Sequence, residues 1–342
     1  MPQTVLLTGA SGYIAKHIAL QLLEAGYHVR GTVRSLSRSD EVTAAIRPHL
    51  SDDNDLKTRL TFVALDLSSD DGWDAAMAGI DVLMHTASPF PMEQPKNDDD
   101  LIRPAVDGAL RALKSAQRAG VTRVVMTSST VAISGSKLPA GDTAYDETNW
   151  TDPADQNVTA YGKSKTLAEK AAWEFQRMHA PEMNLTMINP GFVVGAPLDN
   201  TFGTSISVIE RILQAKDPML PNFGFGSVDV LDVAEMHVTV IDKPQTYGQR
   251  IMTVDRFIWF VDMAKAIKVA FPDRKIRTMV APDLIVRFLA LFDPAIKSIV
   301  PALGQEQKMD NSRAVATLGR GMRQSQKSVV ASAKHLIDNG LV

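Results

Sequence analysis

Thr4-Val5-Leu6-Leu7-Thr8-Gly9-Ala10-Ser11-Gly12-Tyr13-Ile14-Ala15 is the stretch on which the fold turns. A short apolar run, a glycine-bracketed turn and the opening of an amphipathic segment follow one another without a gap. That is the strand, turn and helix start of a nucleotide-binding β-α-β unit. Glycines in the turn let a pyrophosphate approach the helix N-terminus, where unpaired backbone N–H groups and the helix dipole favour an anion. Gly9, Ser11, Gly12, Tyr13 and Ile14 are therefore candidate cofactor-binding positions. A glycine spacing alone is also the mark of a mere tight turn; its place directly after the first strand argues for the nucleotide site. Ala15 stands where a third glycine often does and is small enough for the helix to pack on the sheet.

Outward from this unit the same rhythm repeats. Tyr13 to Ala25 is predicted helical and stopped by Gly26, and His28 to Val33 is a second strand. Leu60 to Ala64, Val82 to His85, Val124 to Thr127 and Leu185 to Asn189 are short and nearly all apolar, as central strands buried on both faces require. Helical spacing over Leu110 to Ala119, ending at Gly120, lies between two of them. Strands alternating with helices predict an α/β fold, a Rossmann-type doubly wound parallel sheet. Beyond Pro190-Gly191 the chain changes character, with phenylalanines scattered among Gly and Pro. The expected division is a dinucleotide-binding domain over residues 1–190, with 226–255 returning to it. A smaller, discontinuous C-terminal substrate-binding part would comprise 191–225 and 256–342.

The second strand ends in Arg30-Gly31-Thr32-Val33-Arg34, with no acid before Asp40. An NAD site usually places an Asp or Glu about 20 residues past the glycines for the ribose hydroxyls. A guanidinium there pairs instead with a 2′-phosphate, so Arg34 favours NADP(H) over NAD(H), with Arg38 able to share the phosphate. The bland alternative for Arg34 is one more solvated surface arginine. Asp66 and Leu67, just past the third strand, are placed to reach the adenine, and Thr86, Ala87 and Ser88, after the fourth, to face the ribose and pyrophosphate.

Tyr161 and Lys165 are four apart on a segment that reads helical to His179, so both project from one face. A phenol with a free pKa of about 10 needs a neighbouring cation to act near neutrality, and Lys165 supplies one. Taken alone, the spacing is also that of any amphipathic helix. Thr127-Ser128-Ser129-Thr130 places hydroxyls at the carboxyl end of the fifth strand, where ligands bind in parallel sheets, although hydroxyl runs also cap turns.

These motifs, with His85-Thr86-Ala87-Ser88-Pro89, Lys165-Thr166-Leu167-Ala168-Glu169 and Asn189-Pro190-Gly191-Phe192-Val193, occur jointly and in this order. The pattern resembles the extended short-chain dehydrogenase/reductase family, and within it the dihydroflavonol-reductase-like and related carbonyl or aldehyde reductases. The match covers most of the chain. The resemblance implies three catalytic residues: Tyr161 as proton donor or acceptor, Ser129 holding the carbonyl oxygen with Ser128 as fallback, and Lys165 binding the nicotinamide ribose while lowering the Tyr161 pKa. It implies that Pro190, Gly191 and Val193 border the nicotinamide and that Thr127 belongs to the cofactor site. The family often has an Asn on the helix before the fifth strand for proton relay. Here Val106-Asp107-Gly108-Ala109 lacks one, so Lys165 needs another water path.

The function expected is NADPH-dependent reduction of an aldehyde or ketone to an alcohol. Phe90, Phe192 and Phe202 are candidate contacts for an apolar or aromatic substrate, and each is equally a core residue. One rival is a nucleotide-sugar epimerase or dehydratase, but residues 192–228 hold only Arg211 and Lys216 to grip a diphosphate. Another is a cofactor-binding regulatory protein, which has no chemical need for Ser129, Tyr161 and Lys165. The 342 residues carry 36 Lys+Arg against 39 Asp+Glu, a net charge of -3 with no pull toward nucleic acid or an anionic membrane. Cysteine is absent, and the 7 histidines show no ligand spacing, so no metal site is expected. With no basic region before an apolar run at the N-terminus, the expected compartment is the cytoplasm. Leu284 to Phe292 is too short to span a membrane and reads as a core-facing or lid helix. Asp232 reads as a helix cap. Partners are small carbonyl or alcohol substrates, and the resemblance allows a monomer or a homodimer.

Overall fold

The first strand, β1 (Thr4–Thr8), lies at the centre of a parallel sheet, flanked by β2 (His28–Val33) and β4 (Val82–His85). Strand β3 (Leu60–Ala64) extends one wing, and β5 (Arg123–Thr127) and β6 (Asn184–Pro190) the other. A seventh strand, β9 (Arg250–Thr253), pairs with β6 and completes the order β3-β2-β1-β4-β5-β6-β9. The computed structural model describes residues 2–88 and 97–342, so Phe90 lies outside the described residues.

Because side chains alternate along a strand, each central strand feeds two cores. Val5 and Leu7 join an apolar cluster with α1 (Tyr13–Glu24), α2 (Ser39–Ile46) and α3 (Asp53–Arg59). Leu6, between them, faces α4 (Trp73–Met77) and α5 (Asp99–Arg118) on the other side. The latter core also takes Ala168, Ala172 and Phe175 of α7 (Ala160–His179), while the four-residue α6 (Val131–Ser134) follows β5. Helices on both faces leave β4 wholly buried and β1, β5 and β6 nearly so, which explains why these strands read as unbroken apolar runs, whereas the edge strand β3 exposes Thr61 and Ala64.

A smaller mixed sheet has the order β10-β8-β7, built from β7 (Phe192–Val194), β8 (Gly224–Asp229) and β10 (Arg256–Trp259). Helices α8 (Thr204–Leu213), α10 (Phe260–Ala270) and α14 (Ser325–Asp338) pack on it through Ile206, Ile209, Met263, Ile267, Val329 and Leu336. The chain crosses between the sheets more than once. After β8, α9 (Val230–Thr239) returns to the large sheet and packs in the α1 layer, as does α13 (Ser312–Leu318).

Two expectations are corrected. The cap of α9 is Asp229, whose extended backbone lets its carboxylate accept from Leu231 N at 2.6 Å. Asp232 is already one turn inside, wholly buried, and binds Arg320 and Arg323. The apolar run beginning at Leu284 forms α11 (Asp283–Leu289), followed by α12 (Pro294–Ile299), and turns only Val286 into a small core, which it shares with Ala281 and Leu303. Leu284 is 82% and Phe288 61% exposed, and only Val286 of that helix is buried. No helix among the described residues is long and apolar enough to cross a membrane.

Candidate active site

Strand order reverses between β1 and β4, and the loops at the carboxyl ends of these strands are drawn together there. Gly9 takes a left-handed φ of 68°, and a Cβ on it would stand 3.0 Å from the Ala87 Cβ. Gly12 caps α1 without a side-chain hydrogen bond, and the first bond of the helix runs from Lys16 N to Gly12 O at 3.0 Å. The N–H groups of Tyr13, Ile14 and Ala15 are therefore left without helical partners. This donor set, with the bare glycine surface beside it, fits a pyrophosphate.

Thr8 ties this turn to the end of β4. Its Oγ1 accepts from the N–H groups of Thr86 and Ala87, both at 3.1 Å, so its own proton goes to His85 Nδ1 at 3.0 Å. His85 is thereby neutral, with its proton on Nε2, and burial beside the Lys165 charge lowers its pKa to about 3. Arg34, exposed at the end of β2, makes no hydrogen bond or salt bridge among the described residues. Asp66 is also exposed, and its Oδ1 accepts from the N–H and hydroxyl of Ser68 at 2.8 and 2.7 Å. Leu67, beside it, packs under Gly108 of α5.

Ser128 and Ser129 face different partners. The Ser128 hydroxyl donates to Glu169 Oε2 at 2.5 Å, whereas the Ser129 hydroxyl hydrogen-bonds Tyr161. Thr159 starts α7 by accepting from Gly162 N at 3.1 Å, and that start sets the face on which Tyr161 and Lys165 stand. The Lys165 ammonium lies 5.9 Å from the centre of the Tyr161 ring. Burial raises the Tyr161 pKa, opposed by Ser129, and pulls Lys165 down to about 8 against the Glu169 carboxylate. Behind these groups a small recess is lined by His85, Ser88, Ser128, Lys165 and Glu169. It borders α5 at Ala105 and Ala109, which offer the recess no hydrogen-bonding side chain, so its polar lining comes from the ends of β4 and β5 and from α7.

Beneath the serines lies a network that sequence reading left without a role. Glu169 accepts from Arg250 Nε at 2.6 Å, from Asn189 Nδ2 at 2.8 Å and from Ser128. Asn189 Nδ2 also donates to Ser129 O at 3.2 Å, and Arg250 lies 3.7 Å over the Trp150 ring. Glu169 follows Lys165 by four on α7, a spacing that puts it on the same face; that was the available signal.

Other anticipated positions have different surroundings. The Tyr13 hydroxyl donates to Gly195 O at 2.8 Å, leaving its backbone N–H toward the glycine turn. Thr127 Oγ1 donates to His237 Nε2 at 2.7 Å, because Nδ1 of that imidazole is engaged with Val233 O. Ser11 is buried within the turn. Pro190 ends β6, and its carbonyl accepts from Thr130 N at 2.9 Å, which brings Pro190, Gly191 and Val193 beside the serines. Phe192 stacks on Phe225 with centroids 4.5 Å apart, in an aromatic group with Phe223 and Phe260. Phe202 packs against the apolar core of the smaller sheet. No group of His, Asp or Glu among the described residues is arranged to hold a metal ion.

Residues 5–254 match the NAD dependent epimerase/dehydratase family. A cinnamoyl-CoA reductase of Medicago truncatula is 33% identical over 284 residues, 82% of this chain and 84% of that protein. The NADPH-dependent methylglyoxal reductase of Saccharomyces cerevisiae is 30% identical over 290 residues, 79% of this chain and 83% of its own. The crystal structure of the yeast methylglyoxal/isovaleraldehyde reductase complexed with NADPH superposes with a TM-score of 0.80 at 26% identity, covering 99% of this chain and 100% of that one.

Proposed function

The chain belongs to the NAD dependent epimerase/dehydratase family, as an extended short-chain reductase related to enzymes that act on carbonyl groups, and from that premise we propose that it reduces an apolar or aromatic aldehyde or ketone to the alcohol with NADPH. The observation that carries the reading is the hydrogen bond between Ser129 and Tyr161 with Lys165 on the same helix face. The bound cofactor supplies the hydride; the chain supplies everything that steers the proton. Gly9, Ser11, Gly12, Tyr13 and Ile14 cradle the pyrophosphate, and Arg34 meets the 2′-phosphate. Asp66 and Leu67 border the adenine. Thr86, Ala87 and Ser88 line the ribose, and Thr127, Pro190, Gly191 and Val193 flank the nicotinamide.

The Ser129 and Tyr161 hydroxyls take the substrate oxygen between them and hydrogen-bond it as negative charge develops. Burial keeps the Tyr161 phenol protonated, as a proton donor must be. Once its proton is given, the Lys165 ammonium stabilises the phenolate left behind. Lys165 in turn opens onto the recess lined by His85 and Glu169, the route by which the tyrosine is recharged. Phe192 and its aromatic neighbours give the substrate side an apolar wall. The decisive experiment follows loss of reduced-nicotinamide absorbance with NADPH or NADH and a panel of aromatic aldehydes, α-ketoesters, diketones and flavanonols. NADPH oxidation with a clear substrate preference supports the reading; silence with both cofactors overturns it.

A further inference from the structure

Two arginines follow β2, and they are not in the same state. Arg34 stands exposed without an ion pair among the described residues. Arg38, one short turn later, is engaged. Its Nε donates to Glu41 Oε2 at 3.1 Å, and its Nη2 reaches Oε1 and Oε2 at 3.1 and 2.9 Å. A carboxylate here takes the forked face of the guanidinium that a phosphate would take. Glu41 is itself held from behind by Lys16, whose ammonium lies 2.8 Å from Oε1. Lys16 is only 1% exposed and also pairs with Asp199, so the carboxylate is fixed from the interior rather than swinging on the surface.

We propose, resting on the NADPH reading above, that Glu41 is a specificity-determining residue acting against the 2′-phosphate. It occupies Arg38 and so leaves Arg34 to read the phosphate alone. The protein consequently discriminates between NADPH and NADH less than its two arginines would allow.

Binding of adenosine 2′,5′-bisphosphate and adenosine 5′-monophosphate, with NADPH and NADH, is measured by calorimetry on the native protein and on Glu41→Gln, Arg38→Ala, the double variant and Arg34→Glu. Glu41→Gln leaves Lys16 its Asp199 partner, and its melting temperature checks that the fold persists. The expected result is a gain of roughly threefold to tenfold for the bisphosphate and NADPH, the worth of one partly exposed charged pair, with the monophosphate and NADH unchanged. That gain should vanish in the double variant, and Arg38→Ala alone should change little.

If Glu41→Gln weakens NADPH, or Arg38→Ala costs as much as Arg34→Glu, then Glu41 orients Arg38 onto the phosphate and the proposal is wrong. An unchanged ratio in Glu41→Gln, with a preference for the bisphosphate that Arg34→Glu abolishes, overturns the role of Glu41 and leaves the NADPH reading intact. Failure of both the native protein and Glu41→Gln to prefer the bisphosphate removes both.

Discussion

Glu169 and Arg250, which come from the catalytic helix and the last strand of the large sheet, meet in a buried ion pair of 2.6 Å. Glu169 also receives Ser128 and Asn189, so one carboxylate fastens α7 to β5, β6 and β9 at once. Glu169→Gln leaves the Arg250 charge buried without its counter-ion. The expected cost is about 3–5 kcal/mol, read as a large fall in melting temperature. A variant as stable as the native protein would show that the pair is dispensable.

Tyr161→Phe keeps the ring and removes the hydroxyl bonded to Ser129. Turnover should fall by about two to four orders of magnitude, the usual worth of a positioned proton donor, with NADPH binding nearly intact. Ser129→Ala should fall in the same direction and Ser128→Ala should not, because Ser128 faces Glu169. Steady-state rates beside direct binding measurements separate the cases, and a fully active Tyr161→Phe would end the proton-donor assignment.

Arg34→Glu reverses the charge at the end of β2. NADPH should be weakened far more than NADH, since only the former carries the phosphate that a carboxylate repels. Equal losses for the two cofactors would show that Arg34 does not read it.

Three buried imidazoles make stability depend on acidity. Burial lowers His17 and His237 to about 4, and burial with the nearby Lys165 lowers His85 to about 3, against an ordinary value of 6.5. As pH falls from 6.5 toward 4, the unfolded chain binds protons at these positions and the folded chain does not. Stability must therefore drop on acidification across that window, by up to about 1.4 kcal/mol per pH unit for each histidine. Chemical denaturation from pH 7 to 4.5 tests this. His237→Gln should shallow the slope even if it lowers stability throughout, and an unchanged slope would mean that this imidazole protonates in the folded state.

Gly191 admits no side chain. A Cβ there would lie 2.2 Å from Gly226 O, a backbone atom that cannot move without carrying β8 along. Gly191→Ala should lower both melting temperature and turnover, whereas Gly248→Ala, at a position with open space, should spare turnover. Retained activity in Gly191→Ala would mean that the two sheets can shift at this point without consequence.

The large sheet was legible because burial on both faces leaves an unmistakable trace, as in Val5 to Leu7 or Val82 to His85. Gly9, Gly12, Tyr161 and Lys165 were legible because local spacing alone puts each pair together. The smaller sheet was not. Its strand β7 spans three residues and β8 opens Gly-Phe-Gly, so neither offers the alternation by which strands are read. The choice between Ser128 and Ser129 depends on Glu169, and that carboxylate depends on Arg250, a pairing between residues far apart in the chain. The error over Asp232 was one of register, since the true cap, Asp229, stands three positions before this buried carboxylate that pairs with arginine. The run from Leu284 carried enough apolar residues for a core helix, but tertiary packing, which left most of them outside, is not written in composition.

Two strand pairs pass from one sheet to the other with almost no slack, β6 to β7 through Gly191 and β9 to β10 through Val254 and Asp255. Because these joints are so short, the wall that Phe192 and Phe225 build and the Ser129 to Tyr161 pair lie close together yet belong to different sheets. Side chains of the small sheet can therefore be exchanged for bulkier or slimmer ones while the glycine turn and Tyr161, both carried by the large sheet, stay untouched, and a lineage could retune the guest without disturbing the chemistry.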